Sequence, residues 1–86
     1  MPDPKQIEAD ILQFVRARCP QYPALGPDTD LLDEGLLDSL LLVDLIFQLE
    51  ERYGIHLGSD HVSPANFRSV AAIVNLVLKQ APGAAA

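Results

Sequence analysis

The stretch from Ser39 to Tyr53, SLLLVDLIFQLEERY, is apolar on more than one side of a helix, and this most constrains what the chain can fold into. At about 100° per residue, Leu42, Leu45, Ile46, Leu49 and Tyr53 fall within one face, the expected core stripe. Opposite lie Leu40, Asp44, Phe47 and Glu51, at i, i+4, i+7 and i+11, with Val43 at their edge. A second face, part apolar and part acidic, is therefore left over once the core is filled. In a domain this small, the helix is either buried on both sides or presents that face as a docking surface, apolar knobs ringed by carboxylates. Local chemistry marks the helix ends. Gly35 permits a sharp approach, Asp38 and Ser39 suit a start, and Gly54 suits a left-handed stop.

The rest of the chain supplies cover for the core stripe. Asp3-Pro4-Lys5-Gln6 reads as a helix start, with Asp as N-cap and Pro in the first turn. Ile7, Ile11, Phe14 and Val15 then form one apolar stripe, and Pro20 ends the helix near Cys19. From Pro20 to Leu37 the breakers Pro20, Pro23, Gly26, Pro27 and Gly35 predict a long connection, anchored by Leu25, Leu31, Leu32 and Leu36. A short helical turn fits near Asp28 to Leu32. Asp28, Asp30 and Asp33 do not make a calcium loop, because Leu32 and Ser39 stand where ligands are needed. Beyond Gly54, Ile55 and Leu57 are expected inside and His56 outside. Ser63-Pro64 opens a brief helix, with Val62 and Phe67 plugging the bundle. Ser69 caps a last helix through Val70, Ile73, Val74 and Val77. The expected fold is all-α: a small four-helix bundle over residues 1–80, with a long loop between its first two helices, then a mobile tail at 81–86.

Charge narrows the partners. Residues 28–60 hold nine acids against Arg52 alone, a balance of −8 within a total of −6. Nucleic acid, which needs clustered Lys and Arg, is excluded; basic partner proteins are favoured. The single cysteine, Cys19, forms no internal disulfide or Cys-based zinc site and is expected to be a small buried residue. No apolar run approaches the roughly 18 residues of a membrane span, and Met1-Pro2-Asp3-Pro4-Lys5 does not open a signal peptide. A cytoplasmic monomer is the expectation.

Ser39 is the residue with chemical promise. At a helix start, backbone donors and the macrodipole favour a phosphate, although a simple cap is the ordinary use of Asp-Ser. Asp38-Ser39-Leu40 with Gly35 upstream, the Leu49-Glu50-Glu51-Arg52-Tyr53-Gly54-Ile55 helix end and the acidic surround resemble the acyl carrier protein family from about Asp28 to Val74. The resemblance implies 4′-phosphopantetheine on Ser39, Asp38 helping to hold the incoming enzyme or its metal, and partner docking along Leu40, Val43, Asp44, Phe47 and Glu51. It implies as partners a phosphopantetheinyl transferase, an acyl- or aminoacyl-loading ligase and downstream acyl-processing enzymes. Leu41 stands where carriers often have a polar residue, which suggests a specialised partner. Glu34-Gly35-Leu36-Leu37-Asp38-Ser39 and Asn66-Phe67-Arg68-Ser69-Val70 also resemble D-alanyl carrier proteins, whereas modular peptide-synthesis carriers show Gly-Gly-His-Ser at the site.

Catalysis by the chain itself is not expected. Ser39 lies in no Gly-x-Ser-x-Gly or Ser-x-x-Lys motif. The two histidines, His56 and His61, follow a helix about 22 Å long, out of reach of Ser39 unless the loop doubles back. They are also too few for a metal site. The reading is an acyl carrier holding thioester-linked intermediates for fatty-acid-like, polyketide or other natural-product biosynthesis. An aminoacyl or D-alanyl carrier loaded by an adenylating ligase is the first alternative, and an unmodified adaptor with the same fold is the second.

Overall fold

A computed structural model of the chain describes residues 3–80; the tail expected at 81–86 lies outside them. Four helices follow in order, with no strand among the described residues: α1 (Pro4–Arg18), α2 (Ser39–Tyr53), α3 (Pro64–Phe67) and α4 (Val70–Gln80).

Each helix begins where a side chain satisfies a free backbone donor. Asp3 accepts from Lys5 N–H at α1, Asp38 from Leu41 N–H at α2, and Ser63 from Asn66 N–H at α3. At α4, Ser69 Oγ accepts from Ala72 N–H at 3.1 Å. Helix α2 stops at Gly54, whose φ of 64° is left-handed and cheap only for glycine.

Ile7, Ile11 and Val15 of α1 and Val70, Ile73, Val74, Leu76 and Val77 of α4 are buried, and these two helices pack together with α3 against α4. Leu76 widens the expected α4 stripe, while Phe14 is only half-buried at the edge of α1's. Helix α2 joins through Leu41, Leu45 and Leu49. The core stripe is thus turned toward Leu41, and Leu42, Ile46 and Tyr53 are half-buried at its flank.

Between α1 and α2 the chain makes successive hydrogen-bonded turns. Leu25, Leu31 and Leu36 are buried, and Leu32 is half-buried. Arg16 donates from Nε and from a terminal nitrogen to the Leu25 carbonyl, at 2.9 and 2.7 Å. Leu31 N–H reaches the Arg68 carbonyl at 2.7 Å, and Ala71 N–H reaches that of Pro27 at 3.0 Å, so the segment is tied to the start of α4. Asp30 accepts from the Leu32 and Asp33 amides and pairs with Arg68 at 3.0 Å. The Asp33 amide, then the Arg68 charge, hold its carboxyl below the usual range. Gly35, at φ 68°, turns the chain so that Leu36 and Leu37 N–H both meet the Leu31 carbonyl. These ties set down Leu36, Leu37 and Asp38 immediately before α2.

Candidate functional site

Ser39 is the first residue of α2 and is exposed, with Asp38 as its cap. Asp38 Oδ1 accepts from Leu41 N–H at 2.8 Å, and its carbonyl accepts from Leu42 N–H at 2.9 Å. The amides of Ser39 and Leu40 find no acceptor among the described residues. Two free donors and the positive end of a fifteen-residue helix thus stand beside an open hydroxyl.

The ridge made by Asp38 and Ser39 separates two open cavities. One, of about 230 Å³, runs beside Ser39 and is walled by Leu32, Leu37, Leu42, Val62 and Phe67. It explains why Leu42 is only half-buried: that flank of α2 faces a groove. The other, of about 300 Å³, lies between the end of α1 and the start of α2, where Arg18, Cys19, Leu36, Leu41 and Asp44 share its wall with Asp38. Leu41, on the same wall as Cys19 and Leu36, is 8% exposed and belongs to the same buried cluster. Leu41 is therefore part of the core, and burial accounts for its apolarity. Burial pushes the Cys19 thiol up, and the nearby Asp38 carboxylate adds to this.

The opposite face of α2 is in solvent. Leu40, Val43 and Phe47 are 82%, 64% and 56% exposed, and Glu51 is exposed in the same row. Burial on both sides does not occur. Asp44 is half-buried, because Arg18 reaches across from α1 and donates from Nε to its Oδ2 at 3.0 Å. The Arg18 guanidinium lies 3.7 Å over the Phe14 ring. Nothing in the local sequence announces this pair, since its members are 26 residues apart.

The chain after α2 doubles back. Val62, Ser63 and Pro64 line the same cavity as Ser39. No histidine is thereby offered as a base. His61 Nδ1 already accepts from Gly58 N–H at 3.1 Å, and His56 projects into solvent beside Glu50. Among the described residues no cluster of three or more His, Cys, Asp or Glu could hold a metal ion, and no helix is long and apolar enough to cross a membrane.

Against known proteins, residues 9–77 match the family model described as "Phosphopantetheine attachment site". The match begins well before Asp28, where the resemblance by motif starts, and takes in most of α1. No curated protein matches the chain.

Proposed function

Because the chain belongs to the phosphopantetheine attachment-site family, whose members carry that group covalently, we propose that residues 1–80 are a single carrier domain. Ser39 is its attachment residue, and the domain presents acyl intermediates to partner enzymes of fatty-acid-like, polyketide or other natural-product biosynthesis. The bound 4′-phosphopantetheine supplies a thiol at the end of a long arm, to which acyl groups are joined as thioesters.

The observation that carries this reading is the exposed Ser39 hydroxyl beside two unpaired helix-start amides. Such amides and the macrodipole, about half a positive charge, favour a phosphate there. Asp38 opposes it, yet one Asp38 oxygen is engaged by Leu41 N–H and the residue is solvent-screened. The donors therefore outweigh one screened carboxylate, and the site fits a phosphodiester. With His61 Nδ1 engaged elsewhere, the base that activates Ser39 comes from the transferase. The chain's own part is to hold the first turn of α2 rigid through Asp38 and to leave Oγ open. Leu40, Val43, Asp44, Phe47 and Glu51 form the surface on which the transferase, the loading ligase and later acyl-processing enzymes settle.

Incubation with coenzyme A and a broad-specificity phosphopantetheinyl transferase tests this. Intact mass should rise by one phosphopantetheinyl group in the unaltered chain and not in Ser39→Ala. An unmodified chain in this assay is an adaptor instead. Loading of an amino acid by an adenylating ligase, with no acyl transfer, would favour the aminoacyl branch suggested by Glu34 to Ser39.

A further inference from the structure

We propose that Arg18 is a latch on the docking face of α2, an internal cation that a partner's own cation must displace from Asp44. This rests on the reading of α2 as the docking surface.

Three carboxylates of α2 lie within or beside the exposed apolar row, and they are not equivalent. Glu51 is exposed and has no ion pair among the described residues. Glu50 accepts Leu57 N–H at 2.9 Å, which fixes it inward as part of the turn after α2. Asp44 alone, one turn below Leu40 and beside Phe47, is covered by a guanidinium from another helix, at 3.0 Å.

That cover is weak enough for a partner's cation to displace. The side chains of Arg18 and Asp44 are 40% and 43% exposed, so water competes for both charges and the pair is held weakly. In the same pose Arg18 is also held by its own helix: its guanidinium stacks on Phe14 and donates to the Phe14 carbonyl at 3.5 Å.

The partner this fits has an apolar hollow for Leu40, Val43 and Phe47 and a lysine or arginine aimed at Asp44. Binding exchanges one cation for another, so a partner lacking that cation gains nothing from displacing Arg18. The latch thus lowers the affinity of every surface that pairs with Asp44 by the same small amount, and the apolar hollow supplies the binding that offsets it.

The test uses the same transferase and coenzyme A, reading the initial rate of mass gain at limiting carrier concentration. Arg18→Gln should raise the rate about threefold, and Asp44→Asn should lower it about threefold. In the Asp44→Asn background Arg18→Gln should change nothing, because the latch has lost its catch. Lys79→Gln, which removes the same charge from α4, should have less effect than Arg18→Gln, separating the contact from general steering. A fall with Arg18→Gln, a rise no larger than that of Lys79→Gln, a rise that persists in the double variant, or a silent Asp44→Asn overturns the latch. No mass gain in the unaltered chain removes the carrier reading and the latch together. Normal gain without Arg18 dependence removes the latch alone.

Discussion

Along α2 two apolar rows interleave: Leu41, Leu45 and Leu49 are buried, while Leu40, Val43 and Phe47 stand in solvent. Hydrophobicity does not separate them, since leucine occurs in both. What separates them is cover. The first row faces the core, with Cys19 and Leu36 beside its Leu41 end. The second stands in solvent, with the Arg18 that reaches Asp44 beside it. Each buried leucine contributes about 1.5–3 kcal/mol to folding, and each exposed one forgoes it. On the proposed reading, this contiguous exposed apolar row with acidic neighbours is the surface on which partners settle.

The harshest way to break this contrast is to cut into the buried row. Leu45 is 1% exposed, so Leu45→Ala should cost about 2–5 kcal/mol in urea unfolding. Leu41→Ala sharpens it, because Leu41 lay outside the expected core stripe and is buried. Near the end of the row and 8% exposed, it should cost about 2 kcal/mol, with the modification rate per folded molecule unchanged. Unaltered stability with a changed rate would place Leu41 on the docking face.

Leu41 also shows where the sequence stops being informative. The helix ends were legible because their causes are local: Asp3, Asp38, Ser63 and Ser69 each accept from an amide two or three residues on. The inward faces of α1 and α4 were legible because each has one apolar side. Helix α2 has two, so periodicity found both faces but centred the inner one a step away from the row of Leu41, Leu45 and Leu49. Cys19 and Leu36, which share the buried cluster and a cavity wall with Leu41, come from outside any helical window around it. The Arg18–Asp44 bridge and the return of Val62 to the groove beside Ser39 escaped for the same reason: both are made by distant segments. The hydroxyl itself was legible, being fixed by the cap next to it.

A gentler probe sits on the boundary between the rows, at the far end of α2. Tyr53 is half-buried and donates its hydroxyl to Asp10 Oδ2 at 3.2 Å. Burial first, and the Asp10 charge second, push the phenol up to about 12. A folded value above the ordinary one of about 10 means that the neutral phenol is favoured by folding. That contribution is complete below about pH 10 and is lost as pH rises through about 12. Phenolate absorbance should show the late titration. Tyr53→Phe should remove this part of the alkaline loss of stability, an effect smaller than either leucine variant because the ring is part-solvated. A Tyr53 phenol titrating near 10 would mean that this flank is open water and that the core ends at Leu49.

The smallest expected change in stability is the most telling. Leu40→Ala and Phe47→Ala remove side chains that are mostly in solvent, so unfolding should shift by no more than about 0.5 kcal/mol. A surface used by partners cannot be so indifferent in binding: burying an aromatic anchor in an apolar hollow carries much of an interface's energy. Phe47→Ala should therefore slow modification of Ser39 about tenfold and Leu40→Ala by less, with the helix content of both variants intact. Loss of helix in Phe47→Ala would place Phe47 in the core and erase the contrast between the rows. Intact helix with an unchanged rate would leave the contrast standing but deny the outer row its purpose, since the solvent-facing apolar side chains would then serve neither folding nor docking.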